Sequence, residues 1–143
     1  MTHRVRWLPL VLIIGFAGTA AGCGGGGSEE SGNSPVSVYE VAGTDLSRVE
    51  LTPDAAKRLD IRTAAVAENG SGKVVPYSAV LYSPNGDAWV YVSPKPLAFV
   101  REKVVIDSID GDRAFLSTGP AAGTKVATVG VAELFGAESG LGE

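Results

Sequence analysis

Phe99-Val-Arg-Glu-Lys-Val-Val-Ile-Asp-Ser-Ile109 is followed by Asp110-Gly-Asp112 and then by Arg113-Ala-Phe-Leu-Ser-Thr118. The two flanking runs are rich in β-branched and aromatic residues, which suit a pleated surface. Asp110-Gly-Asp112 between them is a strong hairpin signal, because glycine and aspartate tolerate the positive φ that hairpin turns need. The same grammar extends in both directions. Upstream, Lys73 to Tyr82 reads as a strand, with Pro76 implying an edge or a bulge. Ser83-Pro-Asn-Gly-Asp87 reads as a turn, Ala88 to Ser93 as a strand, and Pro94-Lys-Pro96 as a break. Downstream, Gly119-Pro-Ala-Ala-Gly123 is a turn and Lys125 to Val129 the last clear strand. Short strands with turns every 8–12 residues predict a mainly β fold, a small antiparallel barrel or sandwich.

The hairpin at Asn85-Gly86 allows two registers. A two-residue turn pairs Tyr82 with Trp89, whereas a loop opening at Pro84, with Gly86 left-handed behind it, pairs Leu81 with Trp89. The second is preferred, since Pro84 suits the second position of a type I turn. In either register Trp89 and Tyr91 share a face opposite Ala88, Val90 and Val92. That face is either core or a partner-binding patch, and both Trp89 and Tyr91 are candidate contact residues.

Before the strands, Ile61 to Ala67 also has strand character, and Leu51-Thr-Pro-Asp-Ala-Ala-Lys-Arg-Leu59 predicts one short helix. Thr52 is placed to cap it, Pro53 suits its first position and Asp54 favours its N-terminal dipole. Leu51, Ala55 and Leu59 give it one apolar side. Val36 to Val41 is a short apolar segment of strand type.

The first 23 residues are of another kind. Arg4 and Arg6 precede the uncharged run Trp7 to Ala17, and small residues lead to Ala20-Ala21-Gly22-Cys23. A basic end, a short apolar run and a small-residue site form a secretory signal. The run is shorter than the roughly 20 residues a bilayer span needs. Ala20-Ala21-Gly22-Cys23 resembles the lipobox of bacterial lipoproteins, with Ala20 where that motif has Leu. The resemblance implies export, cleavage before Cys23 and lipid on its sulfur, hence an anchor on the extracytoplasmic face of a bacterial membrane. Residues 1–22 are then the signal peptide, residues 23–37 the lipidated cysteine with a Gly/Ser-rich tether, residues 38–138 the β domain and residues 139–143 a tail. The tether composition is that of a flexible spacer. Its glycine run lacks the Gly-Lys-Ser/Thr of a phosphate loop.

Composition narrows function. Residues 1–22 hold two of the 12 basic residues and none of the 16 acids, so the remaining 121 residues carry 10 basic and 16 acidic side chains, a net charge of −6. That argues against nucleic acid as a partner and against a polybasic grip on anionic lipid. The only histidine is His3, inside the signal, and the only cysteine is Cys23. Ser–His–Asp and Cys–His catalysis and His/Cys-bound zinc therefore have no residues to use in the β domain. Asp107, Asp110 and Asp112 lack the spacing of a calcium loop and read as a solvated turn. The chain is expected to be non-enzymatic, with no cofactor and no metal.

The strands from Val75 onward resemble the membrane-proximal domain of the periplasmic adaptor subunits of efflux pumps, the membrane fusion proteins. The resemblance is carried by Val75-Pro-Tyr-Ser-Ala-Val80, Trp89-Val-Tyr-Val92, Phe99-Val-Arg-Glu-Lys-Val104, Ser117-Thr-Gly-Pro-Ala-Ala-Gly-Thr-Lys-Val126 and Glu133-Leu-Phe-Gly-Ala-Glu138. The opening Leu51 to Ile61 is similar too, so it spans about residues 49–138. Pro120 stands where adaptors have Leu. Six residues, Glu68 to Lys73, stand where adaptors insert a lipoyl-like domain, a helical hairpin and a barrel. The resemblance implies a lipid-anchored domain that docks on or assists an inner-membrane transporter without the part that reaches an outer-membrane channel. A small-molecule or cell-wall binding module is the other reading of such a domain, and it requires an apolar pocket with convergent polar groups.

Overall fold

The computed structural model describes residues 34–70 and 72–140. The expected signal, Cys23 and most of the expected tether lie outside the described residues, as does the end of the expected tail.

The chain is mainly β and forms a nearly closed antiparallel barrel with helices against its outside. In chain order the elements are β1 (Val36–Glu40), β2 (Ser47–Leu51), α1 (Pro53–Arg58), β3 (Arg62–Ala65), β4 (Ala67–Asn69), β5 (Gly72–Pro76), a 3-10 turn (Tyr77–Ala79), β6 (Leu81–Tyr82), β7 (Ala88–Lys95), β8 (Ala98–Asp110), β9 (Arg113–Thr118), β10 (Lys125–Val129) and α2 (Val131–Glu138). The ring runs β3-β10-β7-β8-β9-β5-β4. Its two ends are consecutive pieces of one segment, joined through Val66. There the chain bends from β10 to β5, held by hydrogen bonds from Val66 N to Thr124 O and from Gly123 N to Val66 O, each 2.8 Å.

β8 turns the sheet on the opposite side. Its first residues pair with β2, Val49 opposite Phe99, and its last pair with β9, Asp110 opposite Arg113. Register shifts on either side of Ile106 bend it between the two, as bulges do. β1 pairs only with β2, and β6 pairs with the start of β7.

Period-two alternation sorts the side chains into two layers. Val66, Val75, Val90, Val104, Ala114, Leu116 and Val126, drawn from every segment of the ring, fill the interior. The outer layer packs Val49, Leu51, Tyr91, Phe99 and Ala127 against Ala55 and Ala56 of α1 and Val131 and Leu134 of α2. The barrel is thus solid, as expected for a small ring.

The preferred hairpin register is the observed one. Leu81 faces Trp89 and Tyr82 faces Ala88. Gly86 N donates to Ser83 O at 2.8 Å, and Gly86 has φ +87°. β10 and β9 occupy the expected ranges, and Thr52 Oγ1 accepts from Ala55 N at 3.2 Å to cap α1.

Several expectations are corrected. Lys73 to Tyr82 is not one strand. β5 stops at Pro76, beyond the reach of β4, where a residue without an N–H is tolerated. The chain then turns as Tyr77 N donates to Asp112 O at 2.7 Å. Pro94 does not end β7, because a register shift between Val92 and Lys95 absorbs it. Ile61 to Ala67 is split at Val66. β1 begins at Val36, two residues inside the expected tether. Ser139 N donates to Phe135 O, so the first tail residue caps α2. A second helix, α2, stands where the sequence showed no regular element.

Candidate functional site

β7 directs Trp89 and Tyr91 to the outside of the barrel, where α2 packs on Tyr91. Tyr91 is 0% exposed and its hydroxyl donates to Glu138 Oε2 at 2.5 Å. Tyr91 is therefore core, and its assignment to a partner-binding patch is corrected: a second layer covers the face that alternation turned outward. Arg101 lies directly opposite Tyr91 on β8. Its Nε is 2.8 Å from the same Glu138 oxygen, an ion pair whose N–H is not aimed along the contact. The side chains of Glu138 and Arg101 are only 5% and 18% exposed.

Aromatic rings flank the guanidinium, with Arg101 Cζ 5.0 Å from the centroid of Trp89 and 5.7 Å from that of Phe135. Such stacking favours a partly desolvated arginine. Trp89 is half-buried, and its Nε1 donates to Ser83 Oγ at 3.2 Å. Lys103, opposite Trp89, pairs with Asp87 at 2.7 Å and holds that carboxyl below the ordinary range. Burial, and then the Glu138 carboxylate, push the Tyr91 hydroxyl far above the usual tyrosine range.

The arrangement fastens α2. Glu138 ends the helix, where the dipole disfavours an acid, and the last turn has no basic residue. Arg101 supplies the missing positive charge from β8, and Ser47 N reaches Glu138 Oε1 at 3.4 Å from β2. Arg101, Phe135 and Glu138 were not candidates from sequence. Arg101 is not singled out by the sequence, where Glu102 and Lys103 follow it on β8, and only the register pairs it with Tyr91.

A groove of about 760 Å³ lies between β1 and α2. Val36, Val38, Leu51, Leu59, Leu134 and Ala137 give it an apolar lining, while Ser34 and Glu133 bring polar groups to it. Asp110-Gly111-Asp112, read as a solvated turn, is the β8–β9 hairpin turn, with Gly111 at φ +60°.

No protein-family model, curated protein or solved structure matches this chain.

Proposed function

We propose that this chain is a non-enzymatic, lipid-anchored domain on the extracytoplasmic face of a bacterial membrane, held by lipid on Cys23, that docks on or assists a membrane transporter. The observation that carries the reading is the β4–β5 hairpin. Asn69 pairs with Gly72 there, so the site where adaptors carry their insertions is a tight turn. Added domains leave and rejoin a barrel most easily at such a tip. Their absence leaves the ring paired on both sides of the turn. The solid interior leaves recognition to the outer surface. Photo-crosslinking in cells, with the Cys23 anchor intact and probes on exposed strand positions, tests this. Adducts with a transporter subunit support it, and a clean scan with membrane-bound protein present overturns it.

The groove between β1 and α2 favours a second reading, a binding module for a small apolar molecule of the cell envelope. Its size falls within the range of small-molecule sites. Val38→Glu would place a charge in the lining, so an envelope ligand that binds the wild type should lose affinity for this variant.

A further inference from the structure

Three of the large apolar side chains left exposed gather at one end of the barrel. Tyr77, Tyr82 and Ile109 are 40%, 49% and 47% exposed. Tyr77 opens the 3-10 turn and is tied through its N–H to Asp112 O at the β8–β9 hairpin tip. Burial first, and the neighbouring Tyr77 hydroxyl second, raise the Tyr82 pKa, which puts the two rings side by side. Ile109 precedes the tip on β8. Exposed tyrosines are typical interface anchors.

The rim of this end is acidic. Asp107, Asp110 and Asp112 are exposed, and the one cation between positions 107 and 113 is Arg113, paired with Asp110 at 3.3 Å. Among the described residues Asp107 and Asp112 have no ion-pair partner. An acidic rim around apolar anchors complements a basic protein surface, and it disfavours anionic lipid.

This end also faces away from the N-terminal entry of the chain. Pro35 O accepts from Thr52 N, and Leu51 N donates to Leu97 O, so the entry lies beside the start of β8. The hairpin tip is at the other end of that 13-residue strand, a path of at most about 40 Å.

From these observations we infer that the end formed by Tyr77, Tyr82, Ile109 and the Asp107–Asp112 rim is the docking surface for a basic extracytoplasmic segment of the partner. The inference rests on the transporter-docking reading. It is tested with the intact lipidated chain in cells, carrying a photo-crosslinker at Tyr77 or Ile109 and, as comparisons, at Val38 or Val129. Adducts with one protein at Tyr77 and Ile109, and none at Val38 and Val129, are expected. In a Tyr77 probe background, D107K/D112K should cut the adduct yield about tenfold by placing like charges in contact. D107N/D112N, which keeps side-chain shape, should cut it in the same direction. Adducts from Val38 or Val129 alone would overturn this surface and leave transporter docking standing. Adducts from no position would overturn both. Adducts with lipid at Tyr77, or yields unchanged by both double variants, would overturn the basic-partner assignment.

Discussion

Glu138 of α2 meets Arg101 of β8 at 2.8 Å, with neither side chain more than 18% exposed. A pair this enclosed is costly to break on one side, because the remaining charge keeps its desolvation penalty and loses its partner. Arg101→Ala should therefore destabilise the fold by on the order of 3 kcal/mol, read as a shift in the urea midpoint. The double change R101M/E138L removes both charges and should recover much of that loss. A loss well below about 1 kcal/mol for Arg101→Ala would mean that apolar contacts alone hold α2.

The same cluster sets an alkaline limit. Burial first, and the Glu138 carboxylate second, raise the pKa of Tyr91. An unfolded tyrosine ionises near about pH 10, so the Tyr91 contribution is fully present below that pH and is lost as pH rises toward the folded value. The urea midpoint should fall above about pH 10, and less steeply in Tyr91→Phe than in the wild type. Asp87, held low by Lys103, and Glu50, held low by Lys95, have the opposite sign. Their contributions are present above about pH 4 and are lost as pH falls below it. A Tyr91→Phe profile superimposable on the wild type would remove Tyr91 from the alkaline account.

Much of the barrel is legible in local chemistry. Thr52 before Pro53, Pro84 with Gly86, and Gly111 within Asp110-Gly-Asp112 each carry a backbone requirement that only a few residues meet, and each is where the structure turns or caps. What is not legible depends on distant partners. Val66 looks like any strand residue, and its bend follows from pairing with β10 on one side and β5 on the other. Pro94 is tolerated only because the β7–β8 register slips there. Alternation places Trp89 and Tyr91 on one face, but it cannot say whether a second layer covers that face. The answer lies in Glu138, 47 positions from Tyr91 in the chain.

Two glycines separate conformational cost from steric cost. Gly86 and Gly130 have φ of +87° and +82°. A Cβ on Gly86 meets nothing, whereas one on Gly130, the N-cap of α2, would overlap the Ile61 side chain. Gly86→Ala should cost about 1 kcal/mol, the penalty for a left-handed L-residue. Gly130→Ala should cost more, and combining it with Ile61→Ala should recover only the overlap, visible as a coupling energy in a double-mutant cycle. Equal losses at the two glycines would show that α2 shifts to absorb the methyl group.

The proposed anchor is tested by what releases the protein from membranes. Among the described residues no helix is long and apolar enough to cross a bilayer. Residues 23–143 carry a net charge of −6, which gives anionic lipid nothing to hold. Retention by two acyl chains on Cys23, as proposed, would be hydrophobic and so indifferent to salt. The wild-type chain should stay with the membrane fraction through a high-salt wash and run heavier by the mass of its lipid. Cys23→Ala should lose that added mass and should not be retained through acyl chains. A Cys23→Ala chain that fractionates and washes like the wild type would sink the lipid anchor. Membrane retention would then rest on the apolar run Trp7 to Ala17 or on a protein partner.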